Sequence, residues 1–145
     1  MDDPTLRFRD DPPHDEPAVT LDAFLAGQAD ATAVRLEAGD DARALVPHLD
    51  RMALVEVSFP TFRDGRGYSS ARVLREAGYF GELRAAGDVL VDQLAPMRRC
   101  GFDSFAPEIC HRLVHLHKTR LRQPYGLYSY YPRRNNNKQA SFLQV

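Results

Sequence analysis

The residues best suited to binding an anion are concentrated in one short segment, RDGRGYS, at positions 63–69. This segment follows a strand-like run and precedes a helical pattern, so it would join the carboxyl end of a strand to a helix N-terminus. Ligands bind at that position in open α/β sheets, where free backbone N–H groups favour anions and Arg66 would add a forked donor. The ligand-binding residues predicted here are Arg63, Asp64, Gly65, Arg66, Gly67, Tyr68 and Ser69.

A tight turn is the alternative interpretation of the same segment. Gly65 and Gly67 would then serve the backbone geometry, and Asp64 or Ser69 would cap the following helix. The segment is not a dinucleotide-binding fingerprint, because it lacks the third glycine and the spacing of that motif. The sequence leaves the ligand site and the turn both open.

A second polar segment, DVLVDQ at positions 88–93, follows the next strand-like run. If a helix begins at Asp88, then Asp88 and Asp92 share one helical face, with Gln93 beside them. Near Arg66 and Arg84, two carboxylates would form an acid–base pair, a metal site or a salt-bridge network. Alternatively, Asp88 caps the helix, Asp92 lies near Arg84 and nothing reacts. The predicted ligand-binding set therefore adds Arg84, Asp88, Asp92 and Gln93, and the candidates for catalysis are Asp64 and Asp88.

The cysteines and histidines do not predict a metal or redox centre. Cys100 follows two arginines near a helix end and has no partner at CxxC spacing, which favours an inert thiol. His111 and His115 are four residues apart, yet Cys110, His111, His115 and His117 lack the paired spacing of structural zinc sites. No flavin or nicotinamide fingerprint is present, so the sequence predicts no cofactor and no metal.

The elements that must position these residues alternate between strand and helix. The predicted strands are at 32–36, 53–59, 82–86 and 102–105, and the predicted helices are at 19–26, 41–49, 69–77 and 88–99. Thr20, Asp40, Ser69 and Asp88 are the predicted N-caps, and Pro96 predicts a kink in the last helix. Such alternation favours parallel pairing. We therefore expect a single-domain α/β protein with a three- to four-stranded, mainly parallel sheet flanked by helices.

Charge and composition divide the 145-residue chain into three parts. Residues 1–17, acidic and rich in proline, predict a disordered segment, and residues 18–108 predict the α/β domain. Residues 1–108 carry 12 Lys and Arg against 20 Asp and Glu, whereas residues 109–145 carry 7 Lys and Arg and no acid. A basic tail with tyrosines suits nucleic acid, but the acidic remainder makes a dedicated nucleic-acid protein an unfavourable interpretation. No apolar run spans a bilayer and no secretory signal opens the chain, so we expect a cytoplasmic protein without a membrane partner.

One long series of motifs resembles a known family. Residues 57–106 contain DGRGYS, then GELRA, DQL and RCGFD in order, and this series is similar to the core of bacterial domain-of-unknown-function family 934. The similarity extends over about residues 18–106. Members of that family are commonly named oxidoreductases and are encoded beside, or fused with, enzymes of assimilatory sulfate reduction. The segment 109–145 departs from the family pattern, and we interpret it as an atypical, basic C-terminal segment.

The resemblance implies an accessory protein of assimilatory sulfate or sulfite reduction. Such a protein would bind a small anionic ligand or sulfite reductase itself. The first alternative is a small enzyme, an oxidoreductase or acid–base catalyst, that acts on an anionic small molecule. The second is a non-catalytic structural module whose polar loops only cap helices. The sequence does not decide whether the protein is an enzyme.

Overall fold

The computed structural model describes residues 5–27 and 30–107. Six strands are present there, β1 Leu6–Arg7, β2 Val19–Thr20, β3 Ala33–Leu36, β4 Leu54–Phe59, β5 Glu82–Gly87 and β6 Ser104–Pro107. Three α-helices, α1 Leu21–Leu25, α2 Arg66–Glu76 and α3 Leu94–Cys100, alternate with them, and 3₁₀ helices occupy Ala42–Arg51 and Val91–Gln93. Within these two described ranges, no helix has the length and apolar character needed to cross a membrane.

The strands form one six-stranded sheet in the order β1-β6-β5-β4-β3-β2. All neighbours pair in parallel except β1 and β6, which are antiparallel. The predicted α/β class is confirmed, and the predicted strand count of three to four was too low. The two missed strands have two residues each, too short for any alternating pattern, and they are recognisable only by their pairing.

The helices and the core lie on one face of the sheet. Strands β2 to β6 are adjacent in chain order, and right-handed crossovers between such strands place every connection on the same side. One apolar cluster accordingly contains alternate residues of the strands together with the buried faces of the helices. It includes Val34, Val55, Val57, Phe59, Leu83, Ala85 and Phe105 from the sheet, and Phe24, Leu45, Leu74, Leu94 and Met97 from the helical segments.

The opposite face of the sheet carries a row of charges. Arg35, Glu56 and Arg84 are cross-strand partners on β3, β4 and β5. Arg35 Nε donates to Glu56 Oε1 at 2.7 Å, and Arg84 lies 3.7 Å from Glu56 Oε2. Glu82 extends the row by binding Arg84 and Arg7, each through one carboxylate oxygen. Alternation along each strand therefore separates an apolar face from a polar one.

Within the segment 1–17, whose composition predicts disorder, the structure describes residues 5–17 and places strand β1 there. Leu6 is 2% exposed and pairs with Phe105, and Phe8 packs edge-on against the Phe105 ring, so two apolar residues anchor an otherwise polar stretch. Arg9 then binds Asp103 at 2.7 Å, and Glu16 accepts a hydrogen bond from Thr32 at 2.8 Å. These bonds hold the segment from β1 towards β2 along the amino ends of the strands.

Several helix starts differ from the predicted ones. Thr20 caps α1 as expected, accepting from Ala23 N at 3.4 Å. Asp41, not Asp40, caps the 3₁₀ helix Ala42–Arg51, which replaces the predicted α-helix and contains Pro47. The predicted helix 88–99 begins later than expected, because α3 starts only at Leu94 and Pro96 falls in its first turn. A proline there removes no internal hydrogen bond.

Candidate functional site

The two predicted loops begin side by side at the carboxyl ends of β4 and β5. Phe59 and Gly87 are register partners at the last position of each strand, and Asp88 N donates to Phe59 O at 2.8 Å. Gly87 has a φ of +100°, a conformation that L side chains rarely adopt. The chain therefore turns sharply after β5 and brings residues 88–93 against residues 60–65.

Phe62 is held by side chains of the second loop. Asp88 Oδ2 accepts a hydrogen bond from Phe62 N at 2.9 Å, and Gln93 Nε2 donates to Phe62 O at 2.7 Å. The other atom of the same amide, Gln93 Oε1, accepts from Leu90 N at 3.1 Å. The structure thus brings together the predicted residues Asp88 and Gln93 with two residues that sequence reasoning missed, Phe62 and Leu90. For Phe62 the signal available was an aromatic residue in an otherwise polar loop, whereas Leu90 lies between two valines and carried no such signal.

Asp64 and Arg66 form a closed pair at the start of α2. Asp64 Oδ1 accepts from Arg66 N at 3.1 Å and from Arg66 Nε at 2.9 Å, and Oδ2 lies 2.6 Å from the terminal guanidinium nitrogen. These hydrogen bonds from the Arg66 side chain and backbone lower the pKa of Asp64 to about 2. The carboxylate of the chain itself therefore lies where the helix N-terminus would otherwise receive an anion.

The remaining residues of the first loop either pack inside the fold or face solvent. Gly67 is buried against the Phe59 ring, where an added Cβ would lie 2.4 Å from ring carbon Cζ. Tyr68 packs edge-on against the same ring, with centroids 5.8 Å apart, and burial raises the pKa of its hydroxyl. Ser69 lies inside the first turn of α2 and is exposed, so the predicted capping role of Ser69 is wrong. Gly65 occupies the N-cap position without a side-chain bond, while Asp64 takes over the capping contact.

Arg63 is the cation that the first loop leaves facing outward. Its guanidinium carbon lies 5.4 Å from the centroid of the Phe62 ring. Within residues 5–27 and 30–107, no carboxylate lies within ion-pair distance of Arg63, whereas Arg66 is matched by Asp64. Positive charge and aromatic surface therefore coincide at positions 62 and 63.

Arg84 and Asp88 do not occupy the positions that were predicted for them in the site. Arg84 is in the middle of β5 on the polar sheet face, where it binds Glu82 and Glu56 and does not reach the loops. Its strand position already excludes the loops, because a side chain there points to one face of the sheet. Asp88 precedes the 3₁₀ helix Val91–Gln93 that contains Asp92, so the two do not share the predicted helical face. The predicted cap by Asp88 is likewise wrong, because its carboxylate binds Phe62 N across the loops.

No metal site emerges from the part of the chain that the structure describes. Within it, no group of three His, Cys, Asp or Glu side chains is placed to hold an ion. Cys100 is a free, half-buried thiol at the end of α3, and burial raises its pKa above the ordinary value despite nearby Arg72 and Arg99. A raised pKa lowers the fraction of reactive thiolate near neutral pH. Cys110, His111, His115 and His117 lie outside the described residues.

The fold and these loops define a one-sided α/β protein with two hydrogen-bonded loops at the carboxyl edge of its sheet. The family model described as a bacterial protein of unknown function, DUF934, matches residues 33–140, and the chain belongs to this family. The match begins after the first residues of the resemblance noted above and continues beyond residue 106. Comparison with curated proteins and with solved structures finds no match.

Proposed function

We propose that this protein is an accessory protein of assimilatory sulfite reduction that acts by binding sulfite reductase. The sulfur pathway is suggested by the family resemblance. A binding role is favoured over turnover by the way the two loops use their polar groups. The observation that carries the proposal is the pair of bonds from Asp88 and Gln93 to Phe62, because they use the loops' polar side chains to build a rigid surface.

The closed Asp64–Arg66 pair favours a protein partner over a small anionic ligand. A free anion would have to displace Asp64 from both the Arg66 guanidinium and the Arg66 backbone N–H. Charge-assisted hydrogen bonds of this kind are the strong ones, and the chain's own carboxylate competes at high effective concentration. An arginine already matched in this way is a weak receptor for sulfite or another oxyanion.

An enzyme remains the second candidate, because Asp64 and Asp88 lie at the edge of the sheet where α/β proteins bind ligands. The bonding of both carboxylates disfavours it. A general acid must hold a proton at the working pH, and Asp64, with a pKa of about 2, is ionised near neutral pH. Asp88 accepts a backbone hydrogen bond in a loop contact. Turnover of an anionic substrate that disappears in Asp88→Asn, with folding retained, would establish the enzyme instead.

Growth of a deletion strain on different sulfur sources tests the pathway. On the accessory proposal the strain fails on sulfate and on sulfite, and sulfide restores growth. Complementation with the wild-type gene restores growth on all three sources. Normal growth of the deletion strain on sulfite would remove sulfite reduction from the proposal.

Binding to purified sulfite reductase from the same bacterium tests the mode of action. Calorimetry with the full-length protein should show saturable binding, and it should show none with bovine serum albumin as a control. A deletion strain that fails on sulfite while the two purified proteins do not associate would retain the pathway and exclude the reductase as partner.

A further inference from the structure

Two exposed apolar residues lie where the loops join. Phe62 and Leu90 are 37% and 38% exposed, respectively. The single amide of Gln93 bonds to the backbone of both, donating to Phe62 O at 2.7 Å and accepting from Leu90 N at 3.1 Å. The backbones of the two residues are therefore close together, although the residues are 28 positions apart in the sequence. Single exposed apolar residues are ordinary on a protein surface, whereas a fixed pair with an adjacent arginine is typical of an interface.

The backbone under this pair is fixed before any partner arrives. Phe62 is bonded through both its N–H, to Asp88, and its carbonyl, to Gln93. The following turn, Asp64 N to Thr61 O at 3.0 Å, closes the loop from the other side. Binding through a preorganised loop loses little conformational entropy, so the contact area of Phe62 and Leu90 is available for affinity.

Charge beside the pair indicates the chemistry of its partner. Arg63 lies over the Phe62 ring and has no ion-pair partner among the described residues, so its exposed charge is open to a partner, whereas the nearby Asp88 carboxylate already accepts the Phe62 N–H. A complementary protein would offer an apolar pocket with carboxylates on the side that meets Arg63.

We infer that Phe62, Arg63 and Leu90 form a docking surface for a protein with an apolar pocket edged by carboxylates. This inference rests on the proposed function in one respect, that the protein acts by binding the reductase. Phe62 fills the pocket, Leu90 closes its rim and Arg63 pairs with an acidic side chain. Aromatic residues and arginine are enriched among the residues that dominate binding energy at interfaces.

Calorimetric titration of purified sulfite reductase tests the inference. A Phe62→Ala/Leu90→Ala double variant should bind at least about 30-fold more weakly than wild type, as truncation of two dominant contacts does. The matched control is Leu25→Ala/Val46→Ala, which truncates side chains that are 49% and 41% exposed on other segments. The control should bind within about twofold of wild type, since exposed residues outside an interface contribute little.

A charge-reversal variant tests the acidic edge separately and keeps the apolar pair intact. Arg63→Glu should weaken binding by about tenfold or more at low salt, and the loss should shrink as salt is added. Melting temperatures of all variants should stay close to that of wild type, because every substituted side chain is exposed. Wild-type affinity of Arg63→Glu would overturn the carboxylate edge.

The outcomes separate this inference from the proposed function. If wild type does not bind the reductase, both are overturned. If wild type binds and the Phe62→Ala/Leu90→Ala variant binds as tightly as its control, the docking surface is overturned and the accessory role stands. If the Phe62→Ala/Leu90→Ala variant and Arg63→Glu both weaken binding while the control variant does not, the docking surface is supported.

Discussion

The α-carbon of Gly87 lies so close to Phe59 that a Cβ there would be 2.5 Å from the Phe59 carbonyl oxygen. That oxygen also accepts the Asp88 N–H at 2.8 Å. Gly87 itself has a φ of +100°. Close approach, positive φ and one hydrogen bond together set the direction in which residues 88–93 leave β5.

Gly87→Ala should destabilise the protein more than Gly78→Ala, by about 1–3 kcal/mol, as overpacking does. Gly78 also has a positive φ, of +92°, but no atom lies within 4 Å of its added Cβ. The second variant therefore measures backbone strain alone. Urea unfolding of both variants measures their free energies of unfolding. Equal losses would show that the backbone shifts to relieve the contact between the added Cβ and Phe59.

Gln93→Ala should lower the free energy of unfolding by about 1 kcal/mol, because its two loop hydrogen bonds are partly exposed. It should also weaken reductase binding while Phe62 and Leu90 are both present. Gln93→Glu keeps the acceptor for Leu90 N but loses the donor to Phe62 O. Asp92→Ala is the neighbouring control, and equal binding of the Gln93 and Asp92 variants would contradict the bridging role.

Asp64 should titrate far below an ordinary aspartate, with a pKa of about 2 against the usual 3.8. Carbon-detected NMR titration of the carboxyl group measures this directly. Because the folded-state pKa is depressed, the pair's stabilising contribution is present above the unfolded-state pKa and is lost as pH falls towards 2. Arg66→Ala should return the pKa towards its usual value, whereas Arg63→Ala should leave it low. A low pKa in Arg66→Ala would assign the shift to another group.

Arg75→Ala should destabilise the protein by about 3–5 kcal/mol, because it leaves buried partners unpaired. Arg75 is 8% exposed and donates to the carbonyl oxygens of Tyr79, Gly81 and Gly101 and to Asp103. Arg75→Lys keeps the charge and cannot reach all four acceptors, so it should recover only part of the loss.

The control for this prediction is Arg43→Ala. The Arg43 side chain is 74% exposed and pairs with Asp41 at 3.6 Å, so its removal should change the unfolding free energy by less than about 1 kcal/mol. Chemical denaturation of Arg75→Ala, Arg75→Lys and Arg43→Ala ranks their free energies of unfolding. If Arg75→Ala lowers the free energy of unfolding as little as Arg43→Ala does, water must bond to the acceptors that the guanidinium leaves.

Local sequence signals were sufficient for the central part of the fold. Strands β3 to β6 were predicted because each contains apolar or β-branched residues between turn residues, and β4 ends at Pro60 as expected. The two-residue strands β1 and β2 were not predicted, because only their pairing with other strands defines them. Leu6, for example, belongs to a strand because it pairs with Phe105, which lies 99 positions later in the sequence.

The contact between the two loops was predictable from the sequence, whereas the bonding of several loop residues was not. The two loops were expected to lie together, and Asp88 and Gln93 do meet the first loop. The role of Asp88 was not predictable from local pattern, since a caplike aspartate before an apolar run looks the same whether it binds its own helix or Phe62. Arg84 was assigned to the site by its type, although strand alternation directs it to the polar face.

The N-terminal segment has a mechanical consequence for the whole sheet. Residues 8–18 connect β1 at one edge to β2 at the other. Six strands span about 24 Å, and eleven extended residues reach at most about 36–40 Å, so the segment crosses the sheet with about 12–16 Å to spare. The segment is fixed to the sheet at two points, by Arg9 bound to Asp103 and by Glu16 bound to Thr32. Proteolytic cleavage between residues 8 and 18 should therefore loosen β1 and β2 at the two edges together. Strands β4 and β5, which carry the docking loops, should stay paired at the centre of the sheet.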